Sequence, residues 1–312
     1  MLRSHGGKLA ALLMLPGLLW LGNPAFALLA GVGLTLAFDR PLLAQSSLYS
    51  KYLLQAAIVM LGLKLNMADM WRINADYSAY VAVYVLSAIG FGLLLGKLLR
   101  VEHISSTLIA AGTGICGGTT IATLAPIIKA SAEQVGVALA IVFLLNAVAL
   151  LTFPLVGDYF HLSQTQFGVW AALAIHDTSS VVATAAVYGD QAANVATTVK
   201  LGRTLWLIPL VVVASLVAGR GNPGDVKVRL PGFILLFILA SVLGSVLPMP
   251  GWLPAAASTV SKCLLVLALL LIGSEISRQT LRQLRGRVLV QALSLWLLVV
   301  PLTLVLVVYL VD

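Results

Sequence analysis

The chain has 312 residues, of which 60% are hydrophobic and 10% charged, and its mean hydropathy is +1.04. This composition excludes a water-soluble domain with an ordinary polar surface and is typical of a polytopic membrane protein. The net charge of +8 does not indicate nucleic-acid binding, because Lys and Arg lie in short connections between apolar segments, as the positive-inside rule requires.

The first apolar segment allows two interpretations. Arg3 and Lys8 precede an apolar run at residues 9–21, and Pro24-Ala25-Phe26-Ala27 follows with the small residues of a signal-peptide cleavage site. Because the next run is also apolar, we favour an uncleaved first helix over a signal peptide.

Eleven apolar segments are long enough to enter a bilayer, although several are shorter than the ~20 residues of a full crossing. They cover residues 9–21, 25–38, 52–65, 77–99, 105–128, 135–156, 168–188, 195–217, 230–247, 263–276 and 288–311. No soluble domain is left over. We therefore predict an all-α membrane protein with nine to eleven transmembrane segments.

Positive charge recurs in alternate connections, which are expected to be cytoplasmic. The residues that carry it are Arg3, Lys8, Arg40, Lys51, Lys97, Arg100, Arg220, Lys227, Arg229, Arg278, Arg282, Arg285 and Arg287. This pattern predicts a cytoplasmic N-terminus and a C-terminus on the outer side.

Two polar interruptions fall where hydrocarbon depth is expected: GTGICGGTT at residues 112–120 and IHDTSS at residues 175–180. Unpaired backbone and ionisable side chains are costly at this depth, so each interruption predicts a broken helix at a functional cavity. The connection at residues 157–167 contains no Lys or Arg, whereas Lys129 follows the first break. This difference favours two re-entrant hairpins that enter from opposite faces and nine full crossings. Two discontinuous helices that cross, giving eleven, remain the alternative.

The two breaks belong to an internal repeat with an offset of sixty residues. Thr119-Thr120-Ile121 aligns with Ser179-Ser180-Val181, and Ala132-Glu133-Gln134-Val135 aligns with Ala192-Ala193-Asn194-Val195. A fainter match sets Ser50-Lys51 against Ser261-Lys262. Repeats that each carry a broken helix predict a secondary transporter of the inverted-repeat class. We expect a core at residues 105–218 between scaffold helices at 1–104 and 219–312.

The residue types at the breaks favour an anionic ligand. Glycines leave backbone amides accessible, and hydroxyl side chains are good helix N-caps, so two positive dipole ends would face the breaks. The candidate ligand-binding residues are Gly114, Cys116, Gly117, Gly118, Thr119, Thr120, Thr178, Ser179 and Ser180. Close packing of helices through small residues is the structural alternative.

His176 and Asp177 are candidates for ion coupling, because a charge buried here must be paired, hydrated or titrated. In the structural alternative, Asp177 caps the following helix and His176 donates a hydrogen bond. The spacing of the His residues and of Cys116 and Cys263 indicates neither a metal site nor a disulfide.

Lys200 and Arg203 lie three residues apart and share one helix face, about 8 to 12 Å from the helix start. Their repeat equivalents, Ala140 and Phe143, are apolar. The pair is therefore predicted to supply a counter-charge for the substrate or for Asp177, and snorkelling to the interface is the alternative.

The motifs GTGICGGTTIATLAPIIKA, AIHDTSSVVATAAVYGD and VKLGRTLWLIPLVVV together resemble the YeiH-like family of bacterial inner-membrane proteins, which carry the label of sulfate exporters. The resemblance covers nearly the whole chain and implies a multi-pass transporter of the cation-antiporter and anion-transporter group. It also implies functional roles for Gly114, Cys116, Gly117, Gly118, Thr119, His176, Asp177, Thr178, Lys200 and Arg203. The chain departs from the family pattern at residues 179–183, where glycine-containing stretches are usual.

The sequence thus predicts a secondary transporter of sulfate, a sulfonate or a related oxyanion in the inner membrane, coupled to a proton or sodium ion. A cation/proton antiporter that uses Asp177 and a passive channel are the alternatives. No nucleophile motif indicates an enzyme, no cofactor is expected, and a homodimer is left open.

Overall fold

The computed structural model describes residues 2–38, 42–43, 45–63, 67–217, 232–247, 250–275 and 286–311. The regular elements in these ranges are helices. In chain order they are α1 (Leu2–Leu21), α2 (Pro24–Phe38), α3 (Ser46–Gly62), α4 (Met67–Leu98), α5 (His103–Gly114), α6 (Gly118–Leu124), α7 (Ala132–Tyr159), α8 (Gln164–Ala174), α9 (Thr178–Tyr188), α10 (Asp190–Thr204), α11 (Leu207–Val217), α12 (Gly232–Val246), α13 (Trp252–Gly273) and α14 (Arg287–Leu310).

Five stretches of helix are long and apolar enough to cross a membrane: α4, α7, α10 with α11, α13 and α14. Shorter apolar helices occur within α1, α2, α3, α9 and α12. The prediction of an all-α polytopic membrane protein is therefore confirmed.

Two helices extend well beyond the apolar segments that predicted them. α4 begins at Met67 rather than at residue 77, and its polar first turns carry Asp69 and an exposed Arg72–Asp76 ion pair of 3.9 Å. α13 begins at Trp252 rather than at residue 263, through a hydroxyl-rich stretch in which Ser261 Oγ donates to the carbonyl of Ala57. Hydropathy detects only the lipid-facing part of such helices.

Both predicted breaks are present, and they repeat with the predicted offset. α5 ends at Gly114 and α8 at Ala174, sixty residues apart, and α6 and α9 begin sixty residues apart at Gly118 and Thr178. Each break leaves three residues between two short helices.

The end of each broken segment lies beside the residue at which that segment begins. At the first, Gln134 at the start of α7 donates to Glu102, just before α5, over 2.6 Å. At the second, the Gln191 amide at the start of α10 donates to Gln164 Oε1 at the start of α8 over 3.0 Å. A helix pair that returns to its own starting point is a hairpin, so we call α5–α6 hairpin 1 and α8–α9 hairpin 2.

The two hairpins enter from opposite ends of α14. Gln291, in the second turn of α14, donates to Ser106 of hairpin 1 over 2.8 Å. At the other end of α14, Gln166 of hairpin 2 donates to the Val311 carbonyl over 2.8 Å. α14 has 24 residues and is about 36 Å long, which is enough to cross a bilayer. The arrangement is that of re-entrant hairpins from opposite faces and not of crossing discontinuous helices.

The remaining helices form two groups. α2 crosses α13 closely, because a Cβ on Gly31 would meet the Leu270 carbonyl, and α3 crosses α12 closely, because a Cβ on Gly62 would meet the Phe237 carbonyl. α4 and α14 pack with the hairpins around one buried core, although the predicted ranges assigned them to the scaffold. The inverted-repeat relationship and the ranges 1–104, 105–218 and 219–312 stay predictions.

Several of the residues from which the membrane orientation was predicted lie outside the described part of the chain. These are Arg40, Arg220, Lys227, Arg229, Arg278, Arg282 and Arg285. The cytoplasmic N-terminus and the outer C-terminus therefore stay predictions.

Candidate functional site

The tips of the two hairpins touch. Gly117, the residue before α6, has a φ of +55°, a conformation that L side chains rarely adopt. A Cβ at this position would lie 3.3 Å from both the Asp177 amide nitrogen and the His176 carbonyl carbon of the other tip. The positive φ and the close approach explain why glycine occupies this position.

Arg203 holds the carboxyl ends of α5 and α8 together. Its side chain is 0% exposed, and its Nε donates to the Gly114 carbonyl over 2.9 Å. Its two terminal nitrogens donate to the carbonyls of Thr113, Ala172 and Leu173. Because the last carbonyls of a helix lack partners and carry partial negative charge, a guanidinium is well suited to this position.

Lys200 and Tyr84 complete this buried cluster. Lys200 Nζ, also 0% exposed, donates to the Ile175 carbonyl over 2.6 Å. The Tyr84 hydroxyl donates to the Thr113 carbonyl over 3.1 Å, and the Arg203 guanidinium lies 4.4 Å from the centre of the Tyr84 ring. Neither Lys200 nor Arg203 forms an ion pair within the described residues. Their observed partners are thus backbone carbonyls.

At the tip of hairpin 1, Cys116 and Thr120 are buried and contact each other. The Cys116 amide donates to Thr120 Oγ1 over 3.1 Å, and the Cys116 sulfur lies 3.2 Å from the same hydroxyl. Thr120 thus closes the turn.

At the tip of hairpin 2, Asp177 caps α9. One carboxylate oxygen accepts from the amides of Ser179 at 2.9 Å and Ser180 at 3.4 Å. His176 is 1% exposed, and its amide donates to Asn146 Oδ1 of α7 over 3.1 Å. This is the geometry of the structural alternative for both residues.

A cavity of about 870 Å³ begins at the hairpin tips. Six of the predicted site residues line it: Gly118, Thr119, Asp177, Thr178, Ser179 and Ser180. The other seven do not line it: Gly114, Cys116, Gly117, Thr120, His176, Lys200 and Arg203. The cavity therefore meets the amino ends of α6 and α9, whereas the cations are at the carboxyl ends of α5 and α8.

The cavity occupies one side of the molecule. Its lining on α7 runs from Gly136 to Leu150, and α7 begins beside the entrance of hairpin 1. The opposite wall comes from α2, α3 and α13. The space thus lies between the hairpin tips and these helices and extends toward the Glu102 end of the molecule, while Val182 and Ala183 of α9 pack directly against the same helices.

Polar lining residues that sequence reasoning did not select are Ser50, Lys51, Gln55, Thr123, Asn146 and Glu275. The sequence could have indicated Glu275 as a candidate functional residue, because it is the one carboxylate in the predicted apolar segment 263–276. Asn146 is a neutral amide in an apolar helix, and nothing in the sequence places it beside His176.

The family model described as conserved hypothetical protein 698 matches residues 9–292. The chain belongs to this family. A UPF0324 membrane protein of Geobacter sulfurreducens is 43% identical over 96% of this chain and 95% of its own length.

Further relatives of the family carry the same description. The UPF0324 membrane protein of Bdellovibrio bacteriovorus is 39% identical over 90% of this chain and 88% of its own length. That of Porphyromonas gingivalis is 40% identical over 90% of this chain and 85% of its own length. The resemblance to the YeiH-like family is confirmed, and the relatives support a multi-pass membrane protein. No solved structure matches the chain.

Proposed function

We propose that the protein is a secondary active transporter of a small oxyanion, such as sulfate or a sulfonate, across the bacterial inner membrane, with a proton or sodium ion as the coupling ion. The observation that carries this proposal is the cavity at the meeting point of two re-entrant hairpins. Its wall there contains Thr119, Thr178, Ser179 and Ser180. Hydroxyl groups can donate to an oxyanion, and broken helices near the bilayer midplane are typical of substrate sites in transporters.

Charge supports an anion at this position. Arg203 keeps its charge in proteins and lies behind the tips with backbone carbonyls as its hydrogen-bond partners. Asp177, the carboxylate at the hairpin tips, accepts from amides at the amino end of α9 and so offsets the positive dipole of that helix end. In a low-dielectric interior, the charge of Arg203 acts over longer distances than in water and favours a bound anion.

The place of the cavity supports alternating access. It lies between the hairpins and α2, α3 and α13 and extends toward one side. Movement of the hairpin-bearing group against the scaffold would expose the tips to the other side.

A cation/proton antiporter is the second candidate, because Asp177 itself lines the cavity. In that function the carboxylate would bind the cation directly, and its charge would be essential. The two hypotheses therefore differ in what they require of Asp177.

The test is counterflow of labelled sulfate in proteoliposomes by the wild type and by Asp177→Asn. Asn is as good an N-cap as Asp, so the variant removes the charge and keeps the helix start. The anion hypothesis predicts sulfate counterflow in both proteins, at the same or a higher rate in the variant. Absence of counterflow from the wild type, together with sodium/proton exchange that Asp177→Asn abolishes, would establish the antiporter instead. Asp158→Asn, an exposed change of the same type outside the cavity, is the matched control.

A second pair of variants tests the hydroxyl at the tip of hairpin 1. Thr119→Val keeps the side-chain shape and removes one donor from the wall, so we expect at least a tenfold loss of sulfate affinity. Thr152→Val on the exposed face of α7 should bind as the wild type does.

A further inference from the structure

Glu275 lines the cavity. It lies two residues after the end of α13, and it shares the cavity wall with Ser50 and Lys51 of α3. The hairpin tips with Asp177 line the same cavity. An acidic side chain thus shares a cavity with the proposed anion site.

The surroundings of Glu275 favour its neutral form. One carboxyl oxygen accepts a hydrogen bond from Ser50, which is 4% exposed. The other oxygen, Oε1, is buried and has no hydrogen-bond partner within the described residues. A buried carboxylate oxygen without a donor is costly, whereas a protonated acid needs less solvation. In accord with this, burial raises the pKa of Glu275 to about 7, and the Ser50 hydrogen bond opposes the rise.

Among the described residues, two other charged groups line the cavity with Glu275. α3 contributes Lys51 and the start of α9 contributes Asp177, and the lining residues on α2, α6, α7, α12 and α13 are uncharged. A hydroxyl cluster fixes the end of α13, because Thr35 of α2 donates to the Ser274 carbonyl over 2.8 Å and Ser274 Oγ lies 3.2 Å from Ser46 Oγ of α3. The carboxyl group is therefore held in place by the scaffold while its protonation state is free to change.

We propose that Glu275 is the proton-binding residue that couples anion movement to the proton gradient. This inference rests on the proposed function, and it specifies the coupling ion and its carrier. A proton from the aqueous side binds one oxygen of the Glu275 carboxylate, removes a negative charge from the cavity and lets an oxyanion bind. After the cavity opens to the other side, the anion leaves and the carboxyl group releases the proton to water. Anion and proton cross in the same direction.

The test is the affinity for inorganic sulfate, measured by calorimetry at about pH 6 and about pH 8 on the purified full chain. Sulfate keeps its charge over this range, so a change in affinity reports the protein. With a group that titrates near 7, the wild type should bind sulfate about tenfold more tightly at the lower pH. Glu275→Gln, which imitates the neutral acid, should bind at both pH values as tightly as the wild type does at pH 6. Glu133→Gln, at an exposed position outside the cavity, should retain the tenfold change.

Transport separates coupling from binding. In proteoliposomes, Glu275→Gln should keep sulfate counterflow and lose uptake driven by a pH gradient. If the wild type shows pH-dependent binding but Glu275→Gln keeps the same dependence or the gradient-driven uptake, the assignment to Glu275 is wrong and the anion transporter stands. If the wild type neither binds nor exchanges sulfate or a sulfonate, the proposed function falls and this inference falls with it.

Discussion

Arg203 is the residue on which the shape of both hairpin tips depends. It donates to carbonyls of α5 and of α8, which come from parts of the chain ninety and thirty residues away. Its charge and its depth in an apolar helix identified it as important in the sequence. Its partners were not predictable, because backbone carbonyls at helix ends leave no residue-type signal.

Loss of this side chain should destabilise the fold. Arg203→Met removes the guanidinium from four buried carbonyls, of which those of Thr113 and Ala172 keep hydrogen bonds from Tyr84 and Lys200. We expect a loss of at least about 3 kcal/mol in the free energy of unfolding. Arg203→Lys retains the positive charge but not the planar fork of guanidinium donors, so it should recover only part of the lost stability. The exposed Arg72→Met should cost less than about 1 kcal/mol. Denaturant titration in bicelles measures all three, and equal losses for Arg203→Met and Arg72→Met would contradict the role of Arg203.

Glu275 should make stability depend on pH. Because its pKa is raised to about 7 in the folded protein, the folded state holds the proton more tightly than the unfolded chain does. The resulting stabilisation is complete below the ordinary carboxyl pKa and is lost as the pH rises through about 7. We expect a decrease on the order of 1 kcal/mol between pH 5 and pH 8, reduced by solvent screening of a half-buried group. Glu275→Gln should remove this decrease in the same titration, and an unchanged decrease would contradict the titration of Glu275.

At the scale of elements, the break positions followed from the repeat. The offset of sixty residues placed Gly118 against Thr178, and both are the first residues of helices. The contact between the tips did not follow from the sequence, because it joins two segments that hydropathy treats separately. The structure resolves it through the positive φ of Gly117 and its approach to Asp177.

Gly117→Ala tests the contact between the tips. The positive φ and the nearby backbone of hairpin 2 should together cost about 1 to 3 kcal/mol and weaken sulfate binding, because α6 and α9 can no longer start side by side. Gly90→Ala in α4 is the matched control, since its Cβ would enter open space and should stabilise the helix by up to about 1 kcal/mol. Thermal unfolding measures the stability of both variants, and calorimetry measures their affinity for sulfate. Equal stability and equal sulfate affinity for Gly117→Ala and Gly90→Ala would contradict the contact between the tips.

At the scale of the whole molecule, the distribution of Lys and Arg favoured re-entrant hairpins over crossing helices. The hydrogen bonds at the base of each hairpin agree with that preference. The absence of Lys and Arg between α7 and α8 was the informative feature. The grouping of α4 and α14 with the hairpins was not predictable, because lipid-facing and protein-facing apolar helices have the same composition.

Cysteine labelling from each side of the membrane tests this topology. His103→Cys and Glu133→Cys lie at the base of hairpin 1 and should react from the same side, which we expect to be the cytoplasm. Asp158→Cys and Asp190→Cys lie near the base of hairpin 2 and should react from the opposite side. Crossing discontinuous helices would instead place the two members of each pair on different sides.

The most direct test of the account is the position of selenate, a heavier analogue of sulfate, located by anomalous scattering in crystals of the wild-type protein. A selenium peak is expected in the cavity at the hairpin tips, with oxygens about 3 Å from the hydroxyls of Thr119 and Ser180. A peak only at other sites, or none in the cavity at saturating selenate, would contradict an anion site between the hairpins.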